Sequence, residues 1–174
     1  MAEVEFTLVL KGRWDDLTFE MADAFYEAGC DDGTVAYSGG QISIAFGREA
    51  ESAQAAVLSA IADVREAGYE VERIAETDAV AQADMAARLG KSRQYVHHLV
   101  TGARGPGDFP RPIAADGPKW SWREVSAWLA DAGLADASLA ETARVLAAVD
   151  AALAYRAVKR DSPKLLKAVE AAVR

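Results

Sequence analysis

The first 75 residues alternate between strand-like and helix-like segments, and this alternation constrains the fold more than any other feature. The stretches "VEFTLVL", "GTVAYS", "QISIAF" and "YEVERI" have the apolar and β-branched pattern of strands. The longer stretches "DDLTFEMADAFYEAG" and "ESAQAAVLSAIADVREAG" carry apolar residues at helical spacing, and each ends at a glycine. The predicted order is β-α-β-β-α-β.

The two middle strands are joined by Ser38-Gly39-Gly40-Gln41, in which the glycines supply the positive φ that a tight hairpin requires. The complete order is that of the ferredoxin-like pattern, in which two helices cover one face of a four-stranded antiparallel sheet. Because this fold supports unrelated activities, it does not itself predict a function.

Charge is distributed unevenly along the 174 residues, whose net charge is −8. Residues 1–79 hold 5 Lys/Arg against 17 Asp/Glu, residues 80–128 hold 7 against 4, and residues 129–174 hold 7 against 6. An acidic chain repels nucleic acid at long range, but a basic surface still binds it within a Debye length of about 8 Å. The overall charge therefore leaves nucleic-acid binding open, with the middle segment as its location.

The stretch "MAARLGKSRQYVHHLV", residues 85–100, has the pattern of two short helices joined by a tight turn. Ala86 is the small residue where the helices would meet, and Gly90 supplies the positive φ of the turn. Ser92 is placed to cap the second helix. These features predict a helix-turn-helix.

The second helix of this pair has one apolar and one polar face. Val96 and Leu99 would face inward, and the outward side chains are those of Arg93, Gln94, His97, His98 and Thr101. Arginine pairs with guanine O6 and N7, and glutamine pairs with adenine N6 and N7. The outward face therefore suits insertion into a major groove of DNA.

A Gly/Pro-rich loop follows at residues 101–119 and contains the cations Arg104, Arg111 and Lys119. Ser121 and Glu124 then have the spacing of a capping box that begins another helix. The sequence predicts a wing-like loop followed by a packing helix.

Residues 79–129, about three tenths of the chain, resemble the winged helix-turn-helix of the MerR/excisionase (AlpA-like) superfamily. The resemblance rests on "RLG" from Arg88, on "SRQ" from Ser92, and on Trp122 with Trp128-Leu129. It implies DNA binding through the second helix and the wing. Together with the outward face and the loop cations, it gives as expected DNA-binding residues Lys91, Ser92, Arg93, Gln94, His97, His98, Thr101, Arg104, Arg111 and Lys119.

Two positions depart from the superfamily pattern. Lys91 stands where members usually carry an apolar residue, and its side chain can lay its stem on the protein or reach a phosphate. Ala81 stands where a Thr or Ser would cap the first helix, so a contribution of about 1 kcal/mol is absent.

Several other residues receive structural interpretations. Cys30, the only cysteine, is expected to be a small, buried or half-buried side chain after a helix. Asp15-Asp16 and Asp31-Asp32 are predicted to cap a helix start and a turn. Trp120, Trp122 and Trp128 are expected in the core, with Trp122 and Trp128 anchoring the wing.

Enzymatic activity, a cofactor and a metal are not expected. "LGKS" resembles the end of a phosphate-binding loop, but Met85 stands where the required first glycine would be. His97 and His98 are adjacent helical residues that point about 100° apart, without a third ligand nearby in sequence. With no signal-peptide pattern and no apolar run near ~18 residues, we expect a cytoplasmic protein without membrane contact.

The remaining residues are predicted to be helical. Ser138 and Glu141 have capping-box spacing, and Leu139, Leu146 and Leu153 repeat at intervals of seven. A second helix after Pro163 could cover this stripe, or the two helices could form a dimer interface. The dimer is favoured because short Ala-rich helices bury little surface alone and because a two-fold dimer doubles the DNA contacts.

The sequence thus predicts an α+β chain with an acidic ferredoxin-like domain at 1–76, a winged helix-turn-helix at 79–133 and a helical tail at 137–174. The expected function is that of a homodimeric transcriptional regulator that binds specific sequences of double-stranded DNA. The alternative is an antitoxin-like or adaptor protein whose N-terminal domain binds a protein partner. The sequence leaves open whether that domain binds a protein or a small ligand.

Overall fold

A computed structural model describes residues 2–114 and 116–173. Within these residues it is a mixed α+β structure with seven helices and a four-stranded antiparallel sheet. None of those helices combines the length and the apolar character needed to cross a bilayer. The chain divides into two compact units, one formed by residues up to Ala75 together with those from Ala148 onward, and the other by Glu76–Ala147. The helical tail is therefore divided between the two units.

The first unit follows the predicted order of elements: β1 (Ala2–Leu10), α1 (Phe19–Glu27), β2 (Gly33–Ser38), β3 (Gln41–Ala50), α2 (Ala53–Glu66) and β4 (Val71–Ile74). The strands lie in the order β2-β3-β1-β4, and all neighbours are antiparallel. Side chains alternate across the sheet, as strand geometry requires. The central strands bury one face through Val4, Phe6, Leu8, Ile42, Ile44 and Phe46.

Both helices of the first unit begin at hydroxyl caps. The Thr18 hydroxyl accepts a hydrogen bond from the Met21 N–H at 3.3 Å, and the Ser52 hydroxyl accepts one from the Ala55 N–H at 3.1 Å. The predicted cap at Asp15-Asp16 is wrong, because α1 begins three residues later. Asp16 instead accepts from the N–H of the adjacent Leu17 at 2.8 Å.

A buried arginine on β3 joins three parts of the first unit. The guanidinium of Arg48, a residue 8% exposed, donates to both carboxylate oxygens of Asp32 at 2.7 and 2.8 Å. It also donates to Asp63 at 2.6 Å, to the Ser59 hydroxyl at 3.0 Å and to the Gly29 carbonyl at 2.8 Å. The turn-capping role predicted for Asp32 is therefore wrong, because its carboxylate binds a distant strand. The hydrogen bonds to Asp32 are the main reason why the pKa of Arg48 is raised.

Cys30 lies between α1 and β2 and is 3% exposed, which confirms the expected buried thiol. Burial, and then the nearby negative charge of Asp63, raise the pKa of the Cys30 thiol to about 11. The thiol is therefore protonated and unreactive at neutral pH.

The second unit contains β5 (Ala79–Val80), α3 (Gln82–Leu89), α4 (Arg93–Val100), β6 (Trp120–Ser121), α5 (Trp122–Asp131) and the first part of α6 (Ala137–Asp161). β5 and β6 pair in an antiparallel ribbon. The helices enclose one apolar core, whose buried members are Val80, Met85, Ala86, Val96, Leu99, Trp120, Trp122, Val125, Leu129 and Ala143.

The backbone N–H groups at the helix starts of the second unit find hydrogen-bond acceptors in different ways. The Ser121 hydroxyl accepts from the Glu124 N–H at 3.3 Å, which confirms Ser121 as the cap of α5. At α3, the Ala81 side chain offers no acceptor, but the Ala81 N–H donates to the Asp84 carboxylate at 2.8 Å. The start of α3 therefore lacks a side-chain cap at Ala81, but the Ala81 N–H is still hydrogen-bonded.

The leucine stripe of α6 is covered within the chain. Leu139 packs against the core of the second unit, Leu146 is 7% exposed, and Leu153 is half-buried in the first unit. The stripe is therefore covered, in large part, within the chain. The predicted Ser138–Glu141 capping box is also wrong, because the Ser138 N–H donates to Asp136 at 2.8 Å.

The end of α6 completes the first unit. The Asp150 carboxylate accepts from the N–H of Ile74 on the edge strand β4 at 2.8 Å. α7 (Pro163–Ala172) follows, and Tyr155 on α6 donates to Glu170 on α7 at 2.8 Å. No described residue of α7 is buried, and its Leu165 is 61% exposed.

Candidate nucleic-acid interface

The turn between α3 and α4 has the geometry that the sequence predicted. Gly90 has φ 59° and ψ 32°, and its N–H donates to the end of α3. A left-handed residue at this place lets the chain reverse after α3, and glycine adopts that conformation without a Cβ clash. The Lys91 N–H then donates to the Ala86 carbonyl at 2.9 Å, which fixes the first residue after the turn.

Ser92 begins α4. Its hydroxyl accepts from the Tyr95 N–H at 3.1 Å, so the predicted cap is confirmed. Ser92 remains exposed, but this bond uses one acceptor position of the hydroxyl in holding the helix start.

The outer face of α4 carries polar side chains that are free to bind another molecule. Arg93, Gln94 and His97 are exposed, and within residues 2–114 and 116–173 their side chains form no hydrogen bond or ion pair. On the opposite face, Val96 and Leu99 are each 1% exposed. The helix therefore presents donors and acceptors to solvent from a rigidly packed base.

His98 and Thr101 are less available than predicted. His98 is half-buried, and the Thr101 hydroxyl donates to the His97 carbonyl at 2.9 Å. The rings of His97 and His98 lie 6.3 Å apart. No group of three or more His, Cys, Asp or Glu residues suited to a metal lies in the described part of the chain.

Tyr95 also belongs to this surface, although its position in the sequence did not predict a binding role. The guanidinium carbon of Arg104 lies 5.0 Å from its ring centroid, and Nζ of Lys91 lies 5.9 Å from it. Cations over an aromatic face are attracted by the ring quadrupole. Lys91 precedes Tyr95 by four positions, so this pair could have been found in the sequence. The approach of Arg104 depends on the path of the loop and could not.

The 101–119 loop is held against the core by two indole groups. Nε1 of Trp128 donates to the Gly107 carbonyl, and Nε1 of Trp120 donates to the Pro110 carbonyl, both at 3.1 Å. The Phe109 ring packs edge-on to both, with centroids 5.0 Å from Trp128 and 6.4 Å from Trp120. The loop is therefore anchored along its middle.

Trp120 also anchors the loop, which the sequence did not predict, whereas the contacts of Trp122 lie with α3. Trp122 is 6% exposed, and the Arg88 guanidinium lies 5.3 Å from its ring centroid. Arg88 also donates to the Thr77 carbonyl at 2.8 Å, and burial lowers its pKa. These contacts tie α3 to the start of the second unit.

Near its far end, the loop is held by backbone pairing of Ile113 and Ala114 with Lys119. The Ile113 N–H donates to the Lys119 carbonyl at 2.8 Å, and Ala114 bridges Lys119. Arg111 and Lys119 are exposed, and their side chains form no ion pair among the described residues. The loop also carries the carboxylates of Asp108 and Asp116, so its charge is only weakly positive.

Comparisons of the chain with protein-family models, with curated proteins and with solved structures find no match.

Proposed function

We propose that the second unit is a winged helix-turn-helix domain of the MerR/excisionase type that binds double-stranded DNA, and that the chain is a sequence-specific transcriptional regulator. One observation carries the proposal. Among the residues that the structure describes, the exposed side chains of Arg93, Gln94 and His97 form no hydrogen bond or ion pair, and they lie opposite a buried apolar face of α4. A short helix with this division suits insertion into a major groove, with its N-terminal residues at the base edges.

The neighbouring cations are assigned to the phosphates. Lys91, Arg104, Arg111 and Lys119 are exposed around α4 and along the 101–119 loop, which takes the role of the wing. Phosphate contacts fix the register of a protein on the duplex without reading sequence. The two indole hydrogen bonds restrict the conformations of this loop, so less conformational entropy is lost when it binds DNA.

The first unit is proposed to be a ferredoxin-like domain. The strand order β2-β3-β1-β4, with two helices between strands of the β-α-β-β-α-β order, supports this assignment. Residues 1–79 carry 17 acidic against 5 basic residues, so this domain is assigned no DNA contact.

A two-fold dimer is also proposed, with α7 as its contact instead of the covered stripe of α6. Leu165, Val169 and Val173 are 61%, 47% and 77% exposed. A dimer would present two copies of α4 to half-sites about 34–36 Å apart.

The test begins with selection of bound sequences from a random duplex pool by the full-length protein, which is expected to yield a consensus. On that site, Arg93→Ala or Gln94→Ala should each cost about 1–3 kcal/mol, with little loss on random DNA. Arg144→Ala and Gln54→Ala remove the same exposed residue types from α6 and α2 and should change neither affinity. Failure to select any sequence, or equal losses in all four variants, would reject the proposal.

The assignment of the loop cations is tested by salt dependence. Arg104→Ala and Lys119→Ala should weaken binding to all DNA similarly and reduce the slope of log affinity against log salt by about one each. Unchanged slopes in both variants would remove the loop from the interface.

A second candidate function, a protein-binding adaptor, is favoured by one surface of α1. Phe19 is 86% exposed and Tyr26 is 69% exposed, and their spacing of seven places them on one helix face. Exposed aromatic side chains are typical binding hot spots, and the acidic neighbours Glu20, Asp23 and Glu27 favour a basic partner.

The two functions make different demands on the chain. A partner that binds wild type but not the Phe19→Ser/Tyr26→Ser variant, and that binds Arg93→Ala normally, would support the adaptor. Loss of the cellular function in Arg93→Ala alone would support the DNA-binding regulator.

A further inference from the structure

The second unit contains a cavity of about 250 Å³ beside Tyr95 of α4. Its wall comes from the end of α3, the start of α4, the end of α5 and the start of α6. The apolar and aromatic lining is formed by Leu89, Tyr95, Leu129, Leu134, Ala135 and Leu139. These side chains offer an apolar surface to a ligand.

The charged part of the lining has one sign. Arg88 and Lys91 both line the cavity, and no carboxylate belongs to its lining. Lys91 is exposed, and its ammonium lies over Tyr95 instead of pairing with a carboxylate. Arg88 already donates to the Thr77 carbonyl and lies over the Trp122 ring. An anionic group entering the cavity would therefore meet Lys91 as the cation without a carboxylate partner.

Size limits the ligand class further. Pockets for drug-sized ligands have volumes of about 300–1,000 Å³, so this cavity suits a single ring or a short branched chain. Apolar walls with a cationic rim favour a carboxylate carried on such a group. A nucleotide has too much volume and too much polar surface for this lining.

We propose that this cavity binds a small apolar carboxylate, such as a monocyclic aromatic acid, and that the bound acid acts as an effector of α4. The coupling runs through Lys91 and Tyr95. The ligand's carboxylate would draw the Lys91 ammonium away from the DNA phosphates, and its ring would press on Tyr95 in the first turn of α4. Binding of the acid and binding of DNA therefore oppose each other, by the same factor in both directions. This effector role rests on the proposed function, whereas binding of the acid does not.

Binding is tested on the full-length protein without DNA, by ¹H–¹⁵N shift titration with sodium benzoate at constant ionic strength. Saturable shifts are expected at Tyr95, Leu134 and Leu139, with a dissociation constant of about 1 mM for so small a ligand. Benzamide, the neutral isostere, should bind at least about 5-fold more weakly. Shifts that do not saturate, shifts centred elsewhere, or equal binding of benzamide would overturn the proposal.

Three variants sharpen this experiment. Lys91→Gln should weaken benzoate binding about 5-fold, whereas Lys119→Gln removes an exposed ammonium outside the lining and should have no effect. Leu134→Trp places a large side chain at a rim position that is 38% exposed, so the fold should tolerate it while benzoate is excluded. Unaltered binding in both Lys91→Gln and Leu134→Trp would place the benzoate site elsewhere.

The effector role is tested with the selected DNA site. Saturating benzoate should raise the dissociation constant for DNA about 3- to 10-fold, and benzamide should not. Saturable benzoate binding by a protein that selects no DNA would reject the proposed function and leave the cavity assignment standing. Specific DNA binding without saturable benzoate binding would reject the cavity assignment alone.

Discussion

At the scale of single residues, the buried Arg48 makes the largest demand on the first unit. Its five hydrogen bonds satisfy every N–H of the guanidinium, and two carboxylates balance its charge. Removing the arginine leaves Asp32 and Asp63 beside each other without their cation, and each is about one third exposed or less. Because water reaches these carboxylates, removing the arginine should cost less stability than at a fully buried site.

We expect Arg48→Met to lower the free energy of unfolding by about 2–4 kcal/mol, measured by urea denaturation with far-UV circular dichroism. Arg73→Met, which removes an exposed arginine of the same sheet, should change it by less than about 0.5 kcal/mol. In the Arg48→Met/Asp32→Ala double variant, the loss should be smaller than the sum of the single losses. Additive losses would show that the two side chains act independently.

The Cys30 thiol makes the stability of the first unit depend on pH in the alkaline range. Its pKa is raised from 9.0 to about 11, so the unfolded chain loses this proton at lower pH than the folded chain. The stabilising contribution is complete below pH 9 and is lost as pH rises through about 11. At pH 10 we expect wild type to have lost about 1 kcal/mol more than Cys30→Ala, relative to pH 8, in urea denaturation. Equal losses in the two proteins would exclude the thiol as the cause.

Residue roles that depend on near neighbours in sequence could be predicted, and those that depend on distant partners could not. The caps at Ser92 and Ser121 follow from hydroxyl placement three residues before the bonded N–H, and both are confirmed. Asp32 has the sequence context of a turn residue, but its partner Arg48 lies 16 positions away on another element. Only the folded sheet brings them together.

At the scale of elements, the 101–119 loop depends on close packing of its backbone against Trp128. Gly105 has φ +85°, and a Cβ there would lie 2.9 Å from the Trp128 ring. Gly102 has φ +74° but has open space at the Cβ position. The two glycines differ mainly in this contact and form a matched pair.

We expect Gly105→Ala to cost more stability than Gly102→Ala, whose left-handed backbone alone costs about 1 kcal/mol. Gly105→Ala should also change the tryptophan emission, because the Trp128 indole must move, whereas Gly102→Ala should not. Both quantities are measured by fluorescence-monitored denaturation. Equal stabilities and equal emission spectra of the two variants would show that the loop backbone shifts to accept the Cβ without moving Trp128.

Periodicity predicted the elements better than it predicted what covers them. The strand and helix order of the first 75 residues is confirmed. The heptad spacing of Leu139, Leu146 and Leu153 correctly indicated a stripe that packs against other parts of the protein, with Leu146 buried and the other two half-buried. Spacing alone does not distinguish cover within the chain from cover by a second copy. The structure covers the stripe within the chain because the two ends of α6 belong to different units. Contacts between α6 and residues far from it in the sequence produce no periodic pattern from which they could be predicted.

At the scale of the whole molecule, the oligomeric state is expected to depend on α7. Leu165→Glu/Val169→Glu should convert a dimer at micromolar concentration into a monomer, because an unpaired charge in an apolar contact is costly. Leu58→Glu, at a residue 49% exposed on α2, should leave the dimer intact. Sedimentation velocity decides between these outcomes, and DNA protection should shrink to one half-site in the monomer. A wild type that is monomeric would remove this interface.

The division of α6 also has a consequence for biosynthesis. Glu76–Ala147 is contiguous, so a ribosome delivers all of the second unit before the segment that completes the first. The unit that begins to emerge earlier is therefore finished later. Until Asp150 has been translated, the N–H of Ile74 on the edge strand lacks its acceptor. A nascent chain at this stage exposes the edge of β4 to other nascent chains that are being made on the same messenger RNA. The time needed to translate α6 sets how long that edge stays exposed.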